Sequence, residues 1–388
     1  MKLSQLSLIS LTAFAVVGTA HAQSSVTLYG TIDTSLTYVH NAAGNQNLWA
    51  LGNSSGGDLS GTRWGIKGQE DLGAGLKAIF QLENGFNPAT GALGQNSRMF
   101  GRQAYVGLAS DNYGTLTLGR QYDPLVDLIQ GITADNYFGS AFATVGDVDN
   151  FDNSSRTNNA IKYLSPVYAG FQVEGMYALG GVAGQTGAGQ TWSVAAAYNN
   201  GPVSVAAGYF VADNPSVTTA QRTTWGGTSD GTFDGSLVNL GYQTAKSINI
   251  ARVAARYAAG PFTFGLGYSN AQYKQDAQSV FASTQKFNTG QGFLNYQATQ
   301  ALLVGLGYSY TKSSGDTSAT YHQVSFGADY NLSKRTDVYL VGAYQHASGE
   351  TLNADGTAVV SAQASIGSYG YGGTNTQELV ALGLRHKF

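Results

Sequence analysis

The sequence predicts an all-β protein, a transmembrane antiparallel β-barrel of 16 strands with long external loops and an inward-folded third loop. Three observations predict it. The 388-residue chain opens on a segment with the features of an export leader. The remainder holds no apolar run of about 18 residues, so helical membrane spans are not expected. It alternates instead with a period of two in many short segments, which is the signature of strands. In lipid every backbone polar group must be paired within the protein, and a closed barrel does this with no open edge.

The leader is read first. Met1-Lys2 gives a positive start, Leu6 to Val17 is apolar apart from Ser and Thr, and Ala20-His21-Ala22 is a small-residue cleavage site. Residues 1–22 are therefore expected to be a signal peptide, and 23–388 the barrel domain.

The alternation is clean in several places. Trp192, Val194, Ala196 and Tyr198 alternate with Ser193, Ala195 and Ala197. Leu302, Val304, Leu306, Tyr308 and Tyr310 alternate with Leu303, Gly305, Gly307 and Ser309. The second face is small or polar, which leaves room for water in a lumen. Tyr198, Tyr257, Phe262, Tyr310 and Tyr330 fall near strand ends, where an interfacial girdle places aromatics. A secreted β-sandwich is the competing architecture, but it would bury large apolar side chains on that second face.

The predicted strands are 25–40, 61–71, 74–84, 98–109, 113–121, 158–165, 169–179, 190–199, 202–212, 247–258, 261–270, 287–297, 301–311, 321–331, 337–346 and 377–388. Short turns such as Asn200-Gly201 and Gly260-Pro261 alternate with long loops, among them 41–60, 122–157, 213–246 and 347–376. Even strand number, short turns at one end and long loops at the other are the pattern of outer-membrane barrels. Segment 235–245 also alternates and either extends a hairpin or folds into the mouth.

Composition narrows the function. Cysteine is absent, which removes disulfide scaffolds, thiol nucleophiles and Cys-ligated metals. The net charge of −3 lacks the basic excess of a nucleic-acid binder. Gly52-Asn53-Ser54-Ser55-Gly56 spells G-x-S-x-G but lacks the strand–turn–helix context of a nucleophile elbow. His322 and Ser325 fall on opposite faces of their strand, a poor catalytic pair. No cofactor, metal or enzymatic activity is expected.

Several stretches resemble the trimeric general porins of Gram-negative outer membranes, in particular the β-proteobacterial branch. They are Ser24–Gly30 with Asp33, Arg63–Gly73, Gly75–Glu83, Phe100–Leu108, Gly114–Gln121 and the end Gly383–Phe388. The resemblance implies a water-filled channel for passive diffusion of small hydrophilic solutes and ions, sited in the outer membrane. It also implies a homotrimer with contacts through the early strands, and a terminal Phe388 read by the barrel-assembly machinery. A substrate-selective channel of the same fold and a surface adhesin are the alternatives.

A pore's chemistry resides at its narrowest point. Loop 122–157 carries Asp123, Asp127, Asp135, Asp147, Asp149 and Asp152 and no basic residue before Arg156. Its middle is apolar and aromatic, with Ile129, Ile132, Tyr137, Phe138 and Phe142, as suits a loop folded inward. Asp123, Asp127 and Asp135 are the expected constriction acids. An arginine facing lipid at mid-membrane costs about 2–4 kcal/mol, so strand arginines should face the lumen. Candidates are Arg63, Arg98, Arg102, Arg120 and Arg156, with Arg252 and Arg256 lumenal by alternation. By resemblance, Arg63, Arg102 and Arg156 match the basic cluster opposite the acidic loop in general porins, and Arg98 and Arg120 flank it. Ion selectivity stays open at this level, because salt screens all charges beyond about 8–10 Å of the narrowing.

Overall fold

The computed structural model describes residues 24–52, 58–215, 222–230, 233 and 235–388. The expected leader and all but the first residue of the Gly52–Gly56 motif lie outside them. Eighteen strands form one sheet. In chain order they are β1 (Ser25–Ala43), β2 (Gln46–Leu51), β3 (Arg63–Gly73), β4 (Leu76–Gly85), β5 (Gln103–Ser110), β6 (Gly114–Gln121), β7 (Thr157–Leu164), β8 (Phe171–Ala178) and β9 (Thr191–Asn200). There follow β10 (Val203–Asp213), β11 (Ser247–Ala259), β12 (Phe262–Lys274), β13 (Gln285–Gln297), β14 (Leu302–Ser314), β15 (Ala319–Asn331), β16 (Thr336–Leu352), β17 (Val359–Ser361) and β18 (Thr376–Lys387).

Without the short β2 and β17, these are the sixteen strands of a closed antiparallel barrel. Successive strands pair by hydrogen bonds, and β18 pairs with both β16 and β1. Closure at this size leaves an aqueous lumen. The seam ends where Phe388 exchanges two backbone hydrogen bonds of 3.0 Å with Gly30. A Cβ on Gly30 would lie 2.3 Å from the Phe388 ring, so glycine is what lets the terminal ring cover the joint.

One expected loop resolves differently. Residues 41–60 contain a tight turn followed by β2, which pairs with the upper part of β1. β3 pairs with the lower part of β1, so β2 and β3 together fill one strand position, interrupted by 52–62. The described end of that interruption is buried. Ser60 N–H donates to Asp33 Oδ2 at 2.8 Å, and Asp58 accepts from the Ser35 hydroxyl at 2.6 Å. Segment 235–245 folds into the mouth as a short 3-10 turn, with Tyr242 fully buried against Phe281, Tyr273 and Phe287.

The wall has two characters. β4 to β9 run eight to ten residues, and β11 to β16 run thirteen to seventeen. Outside, the first strands expose aliphatic residues: Val26, Leu28, Val106, Leu108, Leu116 and Leu118. The taller strands expose Tyr257, Phe264, Tyr268, Tyr308, Tyr310 and Tyr344. This is the outward apolar band with aromatic girdles of a membrane barrel.

Inside the tall wall lies the loop 122–156. Its Leu125, Ile129, Ile132, Val145 and Val148 pack with Phe210, Tyr242 and Tyr273. Phe138 and Phe142 stack at 4.9 Å and join a second cluster with Phe293, Tyr339 and Val341. Glycines on the lumenal face make their socket. A Cβ at Gly305 or Gly327 would come within 2.2 or 2.3 Å of the Phe138 ring, and one at Gly307 within 2.8 Å of Phe142. Hydrogen bonds complete the seat. Gln323 Nε2 donates to the carbonyls of Ala141 and Ala143, and Ser325 Oγ donates to Ala141 at 2.6 Å. Gly146 N–H donates to Ser365 O at 2.9 Å.

Candidate functional site: the lumen constriction

The inward loop leaves a gap of about 370 Å³ against the short wall. Arg63, Glu83, Arg102, Tyr122 and Arg156 line one side, Asp135, Asn136, Asp152 and Asn153 the other, and Arg385 closes a third.

The basic side is organised around one carboxylate and one ring. Arg102 sits where β5 begins, and its Nε donates to Glu83 Oε1 at 2.8 Å. Arg63, at the start of β3, approaches Glu83 Oε2 at 3.7 Å. Tyr29 OH donates to the same Oε2 at 2.8 Å. Arg102 Nη2 donates to Tyr122 OH at 2.8 Å. The guanidinium carbons of Arg102 and Arg156 lie 5.9 and 5.4 Å from the Tyr122 ring centroid. Glu83 thus neutralises one charge, and Tyr122 holds two guanidiniums apart with its ring face. Arg156 keeps Nε and Nη2 without a protein hydrogen bond, while Nη1 donates to Ser154 O at 2.7 Å.

The acidic side is weaker than a count of its carboxylates suggests. Asp135 is held by Thr133 Oγ1 at 2.5 Å and Gln130 Nε2 at 2.8 Å. Burial outweighs these donors and raises its pKa to about 6. Asp152 is raised too, by burial and by its neighbour Asp147.

Three expected constriction acids therefore part company. Asp135 lines the gap. Asp123 does not: it caps the helix Pro124–Ile129, accepting from Leu125 N–H at 2.8 Å, with Pro124 opening that helix. Aspartate followed by proline is a helix-start signature, so this role was readable from the sequence. Asp127 points away from the gap, into a polar recess where it pairs with Lys162, which also reaches Glu174 at 3.4 Å.

The arginines divide as well. Arg63, Arg102 and Arg156 come together at the gap. Arg98 and Arg120 do not, because Asp230 of the 213–246 loop draws both, at 2.5 and 3.1 Å. Arg120 also donates to Gly101 O at 2.7 Å, so it ties loops together over the strand tops. Arg252 and Arg256 face the lumen but clamp the loop. Arg252 lies 3.5 Å from the Phe151 ring centroid and donates to Asn150 O at 3.0 Å, and Arg256 reaches Tyr137 OH at 3.3 Å.

Arg385 was missed, although Leu384 and His386 on the outward face imply that it points inward. It is largely neutralised, at 3.0 Å from Asp337 and 3.4 Å from Asp329. Glu83 was missed because it meets its arginines only across strands, and Asp152, one of the six loop acids, was not among the expected constriction residues because the fold of the loop sets its place.

A closed barrel with an aromatic-girdled exterior, a wet charged lumen and a loop narrowing it is an outer-membrane channel. The comparisons with known proteins identify which kind. A family model for Gram-negative porins matches residues 7–350, and the chain belongs to that family. An outer membrane porin protein of Bordetella pertussis is 31% identical, over 89% of this chain and 94% of its own. Outer membrane porin protein 32 of Delftia acidovorans is 30% identical, over 98% and 99%. An anion-selective porin from Comamonas acidovorans shares the fold with a TM-score of 0.69 at 24% identity, covering 94% of this chain and all of that one. The trimer form of OmpT from Vibrio cholerae gives 0.63 at 16% identity, over 94% and 99%. The chain is an outer-membrane porin, a channel for passive diffusion.

Proposed function

We propose that this porin passes small hydrophilic solutes with a preference for anions, set where Arg63, Arg102 and Arg156 face Asp135 and Asp152. One observation carries the reading: three guanidiniums stand on one side of the gap with one carboxylate, Glu83, which pairs with Arg63 and Arg102 and leaves Arg156 without a counter-charge. The opposing acids support it, since burial holds Asp135 and Asp152 closer to neutrality. The anion selectivity of the Comamonas acidovorans relative points the same way. A polar solute crosses such a gap with its dipole aligned between the two charged sides and without leaving water.

The test is planar-bilayer recording of the refolded protein across a KCl gradient. A reversal potential of anion sign is expected, and one of cation sign would sink the preference. Phe138 and Phe142 are buried in the wall, which leaves a sugar-stacking channel without the aromatic track it would need in this loop.

The protein is further proposed to work as a homotrimer joined through the aliphatic outer face of β1 and β3 to β6. The trimer form of OmpT supports this, as does the scarcity of exposed aromatics on that face. Native mass spectrometry in mild detergent checks it, with three copies expected. Phe388 is proposed as the assembly signal, tested by comparing membrane insertion of wild type and Phe388→Ser by the purified barrel-assembly machinery.

A further inference from the structure

The lumen holds a further cavity beside the constriction. It lies between the helix Pro124–Ile129 and the short wall and measures about 400 Å³. Gln103 lines both this recess and the gap, so the two adjoin. Tyr105, further along β5 toward the short turn 111–113, lines the recess but not the gap. Short turns mark the periplasmic end of such a barrel, so a solute leaving the gap inward meets this recess next.

Its charge is of the opposite kind. Among the described lining residues the charged ones are Lys162, Asp127 and Glu174, two carboxylates to one ammonium. Lys162 pairs with both and also donates to the carbonyl of Tyr122 at 3.0 Å. An ammonium has three N–H donors, so this one is fully used. The carboxylates are not. Glu174 is 2% exposed and keeps Oε2 without a hydrogen-bond partner. Asp127 is 30% exposed and looks into the cavity. One negative charge is left over, in a recess otherwise lined by amides, hydroxyls and the apolar Ile79, Leu128 and Leu164. A buried carboxylate oxygen short of a donor is costly, and a second ammonium is a group that relieves it.

Arg156 presents the opposite need across the same tyrosine. Its Nε and Nη2 lack protein partners, and its guanidinium carbon lies 5.4 Å from the Tyr122 ring centroid. Lys162 sits on the Tyr122 carbonyl. One tyrosine, from ring to carbonyl, thus separates an uncompensated cation from an uncompensated anion. Along the wall from recess to gap the polar groups satisfy one another. Tyr105 OH donates to Gln81 Oε1 at 2.9 Å, and Gln81 Nε2 donates to Tyr29 OH at 2.7 Å. A solute with its charges on adjacent atoms cannot reach both ends. One with its charges at the two ends of an extended chain can.

We propose that this recess is an ammonium subsite, and that Asp127 and Glu174 act with Arg156 to hold extended zwitterions, solutes with a carboxylate at one end and a primary amine at the other. The carboxylate end rests on the anion preference proposed above, and the ammonium end does not. The experiment is single-channel recording of the refolded porin in KCl at neutral pH with one of three solutes added. They are 6-aminohexanoate, its isomer norleucine, whose charges are adjacent, and hexanoate, which has no amine. Binding is read as the dwell time of brief current blocks.

In wild type, 6-aminohexanoate should dwell on the order of tenfold longer than either of the others, the scale of one charged hydrogen bond. The D127N/E174Q variant, its folding checked by its β-sheet circular dichroism, should lose that excess and keep the hexanoate dwell. Equal dwell of 6-aminohexanoate and norleucine in wild type would overturn the two-ended reading with no variant involved. A full excess in the folded variant would overturn the subsite. Blocks by 6-aminohexanoate no longer than those by hexanoate, with a reversal potential of anion sign, place the failure in the recess. The same blocks with a reversal potential of cation sign place it at the Arg156 end.

Discussion

The short and tall walls of this barrel use the same alternation for opposite purposes. On the short wall the inward positions hold charge, with Glu83, Lys162 and Glu174 buried in the lumen and Arg102 where β5 begins. On the tall wall the inward charges Arg252 and Arg256 hold the loop and Asp329 and Asp337 pair with Arg385, while Gly305, Gly307, Gly327, Gln323 and Ser325 receive the loop. The outward faces differ too: the exposed large side chains of β1 and β3 to β6 are aliphatic, and the late strands mix aliphatic residues such as Leu266 and Leu306 with aromatics. One wall presents electrostatics to the solute, and the other supplies the anvil against which the loop is held. The loop faces both, with Phe138 and Phe142 seated on the tall wall, Leu125 packed against β10, and Asp135 and Asp152 turned to the gap.

The sharpest way to break this division is at the anvil. Phe138→Ala should loosen the loop at a cost of about 3–5 kcal/mol, the usual range for a buried phenylalanine. Conductance should rise and become noisy, and denaturant melting should shift. Gly305→Val attacks the same contact from the wall side and should cost about 1–3 kcal/mol through overpacking. An unchanged single-channel current in both would mean that the loop is held by other contacts.

Next comes the charged wall. Arg156→Gln removes a guanidinium without orphaning a carboxylate. An ion passing about 5 Å away in water loses about 0.8 kcal/mol of interaction, or roughly a fourfold change in anion preference. The reversal potential measures it. Arg102→Gln is a harsher probe, because it strips Glu83 of its short ion pair, and breaking a buried pair typically costs about 3–5 kcal/mol.

A smaller effect is expected from pH. Burial raises Asp135, so its carboxyl is charged above about pH 6 and neutral below. Lowering the pH from 7.5 to 5 should remove negative charge from the gap and strengthen anion preference, and Asp135→Asn should flatten much of that response. The same sign applies to stability: a raised carboxyl favours the folded loop at low pH and loses that contribution as pH climbs through 6. The smallest effect belongs to Asp230→Asn. Releasing Arg98 and Arg120 should cost about 1 kcal/mol and leave the reversal potential unmoved. A clear shift in that potential would return those arginines to the constriction.

The fold was legible because lipid leaves few options. Alternation placed all sixteen barrel strands, with β2 and β17 the additional short ones, since a two-residue period is a local property. The site was legible only in part. Arg63, Arg102 and Arg156, at the starts of β3, β5 and β7, are the ones the family resemblance marks. Arg98 and Arg120 were misplaced because the residue that captures them, Asp230, lies over a hundred positions away in a loop without periodicity. The glycines of the tall wall were read as room for water, and they are room for Phe138 and Phe142. A missing side chain records a space and not what fills it.

The seam between β1 and β18 also has a kinetic meaning. Thr31 pairs with Lys387, so the contact that closes the barrel joins residues near opposite ends of the described chain. Bringing such distant residues together costs roughly 3 kcal/mol more in chain entropy than closing a ten-residue hairpin. Until that step, β1 and the growing end both offer unpaired strand edges, which template aggregation. The fifteen hairpin registers can form locally and early, but the sealed pore exists only after the last strand has been made and has found the first.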